Sequence, residues 1–599
     1  MERCHDMPFG TRILGEGGVR FQLFAPAAQA VKLALDGVGE FHMDDTGEGW
    51  YACDALAAGP GSRYHFLIEG SLAVPDPASR HQPSGHAGAS EVIDASAFAW
   101  TDQEWRGRPW EDAVIHEVHV GSFTREGDFD GIRRRLDHLV DLGVTAVELM
   151  PVAEGPGRWS WGYDGVLPFA PRRDYGGPQA LRQLVDAAHG RGIMVLLDVV
   201  YNHFGPEGNF LPRYAPAFLS RRHRTPWGAA INFDDADSAP VRQFFVHNAL
   251  YWLEEYHLDG LRLDAVHAVF DDSERHILLE IAEAVHQGPG RDRAVHLILE
   301  NDANEARFLR REPGGCVRRY SAQWNDDLHH ALHVLLAEEA TGYYEDYASD
   351  PLCCLLRCLE QGFAWQGEPS PFRGGQLRGE PSADLPPAAF VGFLQNHDQI
   401  GNRAAGERIS VLAPDPALRA ATALLLLAPF PPLLFMGQEW GARQPFPFFC
   451  DCEEPLATAV REGRRREFPD QRSEQVADPC AGETFRAAVL DWSWPASAAA
   501  REWFALHREL LRLRREHVSP MLGCLRPAPG GFWRLGNRGL VATWCHGAAR
   551  LTLLANLGPQ PLCDVVRPSG TCFFAAPGPI AEAGELTLAP WSVAWFASP

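Results

Sequence analysis

The nine residues Asp259-Gly260-Leu261-Arg262-Leu263-Asp264-Ala265-Val266-His267 decide how this chain is read. Leu261 and Leu263 alternate with Arg262 and Asp264, the period-2 pattern of a short strand. Residues i and i+2 share a strand face, so Arg262 lies beside Asp264 where the strand ends. A cation beside a carboxylate favours the ionised form, which suits a nucleophile. The same four residues also suit a structural Arg–Asp ion pair at a strand end.

Around this strand, from Ala113 onward, short apolar runs alternate with amphipathic segments, the signature of repeated βα units and a parallel sheet. Strands are predicted at Val114–Val120, Ala146–Met150, Met194–Val199, Gly260–Asp264, His296–Glu300, Arg319–Trp324, Val391–Asn396 and Pro432–Met436. Helical spacing marks Phe129–Leu142, Gln179–His189 and Val241–Tyr256. The α/β class and a (β/α)8 barrel with long insertions follow. A doubly wound open sheet is the competing architecture. No G-x-G-x-x-G or Walker loop follows the early strands, which speaks against its nucleotide-binding version.

Both flanks read as β structure. Val19–Phe24, Val31–Leu35 and Tyr64–Ile68 alternate between Pro/Gly/Asp turns and suggest a small β-sandwich of immunoglobulin-like kind. The Pro/Ser/Gly/His-rich stretch Asp76–Ser90 leads towards the barrel. After a helix over Ala498–Arg515, the alternating runs Gly531–Leu535, Leu551–Ala555 and Ser592–Phe596 suggest a C-terminal β domain. The expected division is residues 1–105, 106–494 and 495–599.

Composition narrows the function. A net charge of −24 argues against nucleic-acid and anionic-membrane partners. The 54 basic residues include one lysine, Lys32, and the arginines are scattered, which reads as genome bias. Thirteen cysteines include no second CxxC and no His-x3-His to complete a tetrahedral site, so reduced structural thiols are expected. Met1–Arg12 lacks an apolar core, so no signal peptide and a cytoplasmic location are expected. The uncharged run Ala420–Met436 is broken by Pro429, Pro431 and Pro432 and reads as a buried helix, a break and a buried strand.

Barrel enzymes carry their chemistry at the C-terminal ends of the strands. Four such ends are polar: Asp198-Val199-Val200-Tyr201-Asn202-His203, Asp264, Glu300-Asn301-Asp302 and Gln395-Asn396-His397-Asp398. Each alone is more often a cap or an ion-pair partner. Four on one barrel converge on one face. Three carboxylates and two histidines there suit retaining glycoside cleavage, which needs a nucleophile and a proton donor. Asp264 has its arginine. Glu300 follows three aliphatic residues, and burial with like charge raises a carboxyl pKa as an acid requires. Asp398 is suited to charge stabilisation, and His203 and His397 to sugar hydroxyls. A phosphatase-like metal site is the chemical alternative, but metal-ligand spacing is missing.

In order, the four clusters resemble the signature regions of the α-amylase superfamily of glycoside hydrolases. The resemblance implies Asp264 as nucleophile, Glu300 as acid/base, Asp398 as third carboxylate, and Arg262, His203 and His397 as sugar-binding partners. Tyr163, in Trp161-Gly162-Tyr163-Asp164, looks like the family aromatic that stacks on the cleaved sugar. Tyr201–Phe210, Thr225–Phe233, Gln323–His330 and Phe393–Arg403 are similar to segments of the maltooligosyltrehalose trehalohydrolase family. That implies hydrolysis of the α-1,4 bond next to a terminal trehalose. It also implies trehalose recognition by the loop after strand 3 and by the Trp324–His330 segment, with Trp324 and Asp326 as substrate-binding residues, malto-oligosaccharides as ligands and a functional pairing with the synthase that makes the substrate. Many amylases bind calcium through the asparagine matching Asn202 and a histidine four residues after the nucleophile. Here that second position is Ala268, so no metal and no cofactor are expected. A glucan branching enzyme is the alternative, disfavoured by Glu300-Asn301-Asp302 and by the Gly205-Pro206-Glu207-Gly208-Asn209 loop. A non-catalytic glycan-binding protein is the remote one.

Overall fold

The computed structural model describes residues 4–312, 314–469, 471–472, 475–579 and 585–598. Met1, Glu2 and Arg3 of the N-terminal stretch, and Pro599, lie outside the described residues.

Eight parallel strands close into a barrel. They are β1 (Ile115–Val118), β2 (Ala146–Leu149), β3 (Met194–Val199), β4 (Gly260–Leu263), β5 (His296–Leu299), β6 (Ala322–Trp324), β7 (Phe390–Phe393) and β8 (Pro432–Phe435). Every residue of these strands is buried. Strands covered on both faces read as continuous apolar runs for that reason. Pairing of β1 with β8 closes the sheet and excludes the open doubly wound alternative. Each expected strand is present: β3 keeps its expected bounds, β7 begins one residue earlier and ends three earlier, and the rest lose one to three residues at an end where the chain turns into a loop. The helix expected over Phe129–Leu142 is two pieces, Phe129–Arg133 and Leu136–Leu142, with the apolar face of both buried. The run Ala420–Met436 holds the end of helix Asp415–Leu427 and then β8. Among the described residues no helix is long and apolar enough to cross a membrane.

Before the barrel, two sheets face each other, with Val19, Phe21 and Leu23 inward and Arg20 and Gln22 half-buried between them. After it, a five-stranded sheet buries Leu540, Ala542 and Trp544. The connecting helix, Ala498–His517, carries Arg514, which is fully buried. Its guanidinium donates to the carbonyls of Leu426, Ala428 and Phe430 at 2.7–3.1 Å. The first two end the helix Asp415–Leu427, where carbonyls lack an intrahelical partner, and the third lies in the loop before β8.

The Asp76–Ser90 stretch is a clamp between sandwich and barrel. Asp76 accepts from Tyr64 Oη at 2.7 Å, and Arg80 pairs with Glu255 at 2.8 Å. Arg80 is 5% and Glu255 0% exposed at the side chain. Glu255 closes the helix Ser238–Glu255 ahead of β4, so this ion pair fixes the sandwich to the helix that leads into β4. Removing one partner of a buried ion pair leaves the other desolvated and uncompensated. Arg80→Met is expected to cost about 3 kcal/mol, read as a lowered denaturant midpoint. It is the low end of the usual range because Arg182 stands 3.8 Å from the same carboxylate.

Candidate active site

Site geometry starts from a register pair. Asp198 on β3 and Arg262 on β4 are direct ladder partners, so the contact of 2.8 Å between them is set by strand pairing. The same Arg262 Nη1 reaches Asp264 Oδ1 at 2.8 Å, and Nη2 lies 3.9 Å from Glu300 Oε2. One fully buried guanidinium therefore holds three carboxylates from the ends of β3, β4 and β5.

Asp264 is anchored on its other side. Asn202 Nδ2 donates to Asp264 Oδ2 at 2.9 Å and to its carbonyl at 2.8 Å. The Asn202 oxygen is taken by His203 Nδ1. Immediately after Asp264 the backbone turns left-handed at Ala265, φ 41°, a strained conformation for a residue with a Cβ. This turn aims the Ala265 N–H at Glu300 Oε2, 2.7 Å away. Strain next to Asp264 is thereby used to place Glu300. Both carboxylates are 13% exposed. Burial raises the Glu300 pKa, Arg262 and His267 oppose that, and the charges of Asp264 and Asp398 add to it.

Asp398 enters from the short helix His397–Gly401, whose first turn is capped by Asn396 accepting from the Asp398 and Gln399 amides. His397 lies between carboxylates. Its Nδ1 meets Glu117 Oε1 at 2.5 Å, and its Nε2 faces Tyr163 Oη at 2.9 Å and Asp398 Oδ1 at 3.4 Å. Tyr163 Oη in turn donates to Asp198 Oδ2 at 2.6 Å. Burial alone would push the imidazole down, but Asp398 and Glu117 hold it up to about 9. Asp198 is pushed up to about 7 by burial, against Arg262 and with the help of Asp264. His203 is held low by burial, and its ring stacks on Trp227 at 5.1 Å.

His397 yields a pH prediction. A folded pKa of about 9 exceeds the ordinary value of about 6.5. The proton's contribution is complete below about 6.5 and is lost as pH rises through about 9. KM is expected to climb above that pH as Asp398 and Glu117 lose the cation between them. In His397→Asn that limb of the log(1/KM) profile should vanish; an unchanged limb would assign it elsewhere.

Of the residues singled out in the sequence, Asp264, Glu300, Asp398, Arg262, His203, His397, Tyr163 and Asp326 come together. Tyr163 is half-buried with its ring 5.3 Å from that of His397. Asp326 is half-buried and accepts from Gln399 Nε2 at 2.9 Å. Trp324 does not reach the surface of the site. It is 1% exposed and lies under Arg262, whose guanidinium carbon is 4.1 Å from the ring centre. Its inward place on β6 makes it a support for the cation, and the expected sugar contact is corrected accordingly. Glu117 and Glu148 escaped the sequence reading. They sit inside strands, where no strand-end signal marks them, and Glu117 and Glu148 are ladder partners.

Asn202 donates to Asp264, and its oxygen lies against His203 Nδ1. His223, Asp234 and Asp272 gather elsewhere, but Arg222 bridges both carboxylates at 3.3 and 2.9 Å. An arginine is therefore already part of this cluster.

The α-amylase catalytic domain family matches residues 90–215, the carbohydrate-binding module 48 family residues 8–78, and a domain family of unknown function residues 528–595. A malto-oligosyltrehalose trehalohydrolase of Saccharolobus solfataricus is 41% identical over 88% of this chain and 90% of its own. One of Mycobacterium tuberculosis is 38% identical over 96% and 98%. A Salmonella typhimurium crystal structure, described provisionally as an alpha amylase, superposes with a TM-score of 0.94 at 40% identity and covers both chains in full. A 1,4-alpha-glucan branching enzyme of Ralstonia nicotianae matches only 42% of this chain and 36% of its own, at 37% identity. With such relatives matching along most of its length, the chain belongs to the malto-oligosyltrehalose trehalohydrolase family of the α-amylase superfamily.

Proposed function

We propose that the chain hydrolyses the α-1,4-glucosidic bond next to the terminal trehalose of maltooligosyltrehalose, releasing trehalose and a maltooligosaccharide with retained configuration. The observation that carries this reading is the single guanidinium of Arg262 holding Asp264 and Glu300 within 4 Å. Asp264 attacks C1 as the C1–O4 bond breaks, and Glu300 gives its proton to O4 of the leaving trehalose. Water then attacks C1 on the sugar–enzyme ester. Glu300 takes its proton, and Asp264 is released as carboxylate. Asp398 and protonated His397 bind hydroxyls of the ring being cleaved, Tyr163 stacks on that ring, and neutral His203 binds another hydroxyl. Asp326 contacts the leaving unit.

A leaving group lies on the side of its acid. Glu300, Asp302, Asp326, Tyr343 and Phe372 line one continuous cleft there, which supports it as the trehalose side. The enzyme acts in the cytoplasm, paired in function with the synthase that makes its substrate, and needs no metal. Product analysis with maltotriosyltrehalose tests this. Trehalose plus maltotriose is expected. Branched products from amylose without new reducing ends would move the chain to the branching enzymes.

A further inference from the structure

The cleft beyond Glu300 contains a histidine to which the steps above give no role. His330 lies on the helix Asp326–Ala337, four residues after Asp326, and lines the same cleft. It is 8% exposed. Its Nδ1 is buried with no hydrogen-bond partner among the described residues. Its ring contacts are aromatic, with Tyr343 and Tyr347 at 4.8 and 5.0 Å. The polar groups around it are already paired. Arg378 Nη1 donates to Tyr347 Oη at 2.6 Å, and Tyr347 Oη donates to Asp327 Oδ1 at 2.5 Å. Asp346 accepts from Ser370 Oγ at 2.6 Å and from the Phe372 amide at 2.9 Å. Native folds rarely leave a buried polar side chain unpaired, and here the unpaired one borders a ligand cleft. Burial, with His329, Arg378 and His333 close by, keeps the imidazole uncharged. A neutral imidazole offers one donor and one acceptor, which matches a sugar hydroxyl.

Position along the cleft tells which ring it meets. Residues i and i+4 of a helix stand about 5–6 Å apart on one face. Asp326 is tied by Gln399 Nε2 at 2.9 Å to the short helix that carries Asp398. His330, one turn further along its helix, packs against Tyr343 and Tyr347 instead. Asp326 therefore faces the ring next to the cleaved bond and His330 the ring beyond it. In trehalose and in maltose the first leaving ring is the same. The second differs, being joined through its anomeric carbon in trehalose and through its 4-oxygen in maltose. We infer that His330 hydrogen-bonds a hydroxyl of the second glucose of the leaving disaccharide and so sets the preference for a trehalose-terminated over a maltose-terminated chain. This rests on the trehalohydrolase reading.

The test compares maltotriosyltrehalose with maltopentaose, two chains of equal length, in the wild type, His330→Ala and His330→Asn, with folding checked by circular dichroism. His330→Ala is expected to lower kcat/KM for maltotriosyltrehalose about 10- to 100-fold and to shrink the preference over maltopentaose by a similar factor. The inhibition constant of free trehalose should rise in step. His330→Asn, which keeps a donor and an acceptor, should recover part of the preference. A parallel fall on both substrates, or an unchanged ratio and inhibition constant, overturns the assignment of His330. Wild-type protein that releases no trehalose overturns the proposed reaction itself, whatever the variants do.

Discussion

Asp264→Asn is expected to lower kcat by about four to six orders of magnitude, the scale reached when an enzyme loses its nucleophile. The fold should survive, because Arg262 keeps Asp198 at 2.8 Å and its seat over Trp324. The introduced amide also retains an oxygen for Arg262 Nη1. One contact is lost: the Asn202 amide that donates to Asp264 Oδ2 at 2.9 Å would meet another amide. That costs about 1 kcal/mol, small beside the catalytic loss. Steady-state rates with a thermal melt separate the two effects. A variant with a shifted melting temperature and a rate within about tenfold of wild type would make Asp264 a structural carboxylate, the bland reading that its sequence stretch also permits. Asp264→Ala adds a stereochemical check. With the nucleophile shortened, added azide can enter from the vacated face and give a glycosyl azide of inverted configuration.

The barrel was legible because its strands are covered on both faces and so announce themselves as apolar runs between amphipathic helices. Asp264, Glu300 and Asp398 were legible because each follows such a run. What lies inside the strands was not. Glu117 and Glu148 read as interruptions of an apolar pattern, and only closure of the barrel turns them into a polar floor under the site. Trp324 was misplaced for the converse reason. A tryptophan near a strand end can face the cleft or the barrel axis, and its strand phase became visible only with β6 in register. The arginines were also under-read. Arg80, Arg262, Arg408 and Arg514 are all buried. Arg514 and Arg408 donate to loop and helix-end carbonyls, a task that uses the guanidinium's several fixed donors and that one ammonium would not reproduce.

Glu300→Gln tests the other half of the pair, and its effect depends on the leaving group. General acid–base help contributes about 10²- to 10⁴-fold, so hydrolysis of maltotriosyltrehalose should fall by that much. A glucosyl fluoride, whose leaving group needs no proton, should still react in the first step and then stall, since water would lack its base. Glutamine keeps the oxygen that accepts from Ala265 N–H at 2.7 Å, so the left-handed turn after Asp264 stays supported and the melting temperature should hold. pH separates this carboxyl from its neighbours. Because burial and the charges of Asp264 and Asp398 raise the Glu300 pKa against Arg262 and His267, the acid stays protonated beyond the ordinary carboxyl range, and its function fails as pH rises through that raised value. The kcat/KM profile of the wild type should therefore show two descending limbs, one from Glu300 and one near pH 9 from His397. Glu300→Gln should remove the first and leave the second; His397→Asn should do the reverse. Azide added to Glu300→Ala should capture the sugar–Asp264 ester and give a glycosyl azide of retained configuration, the opposite anomer to that from Asp264→Ala. The same anomer from both variants would mean that the two carboxylates do not divide the work as nucleophile and acid.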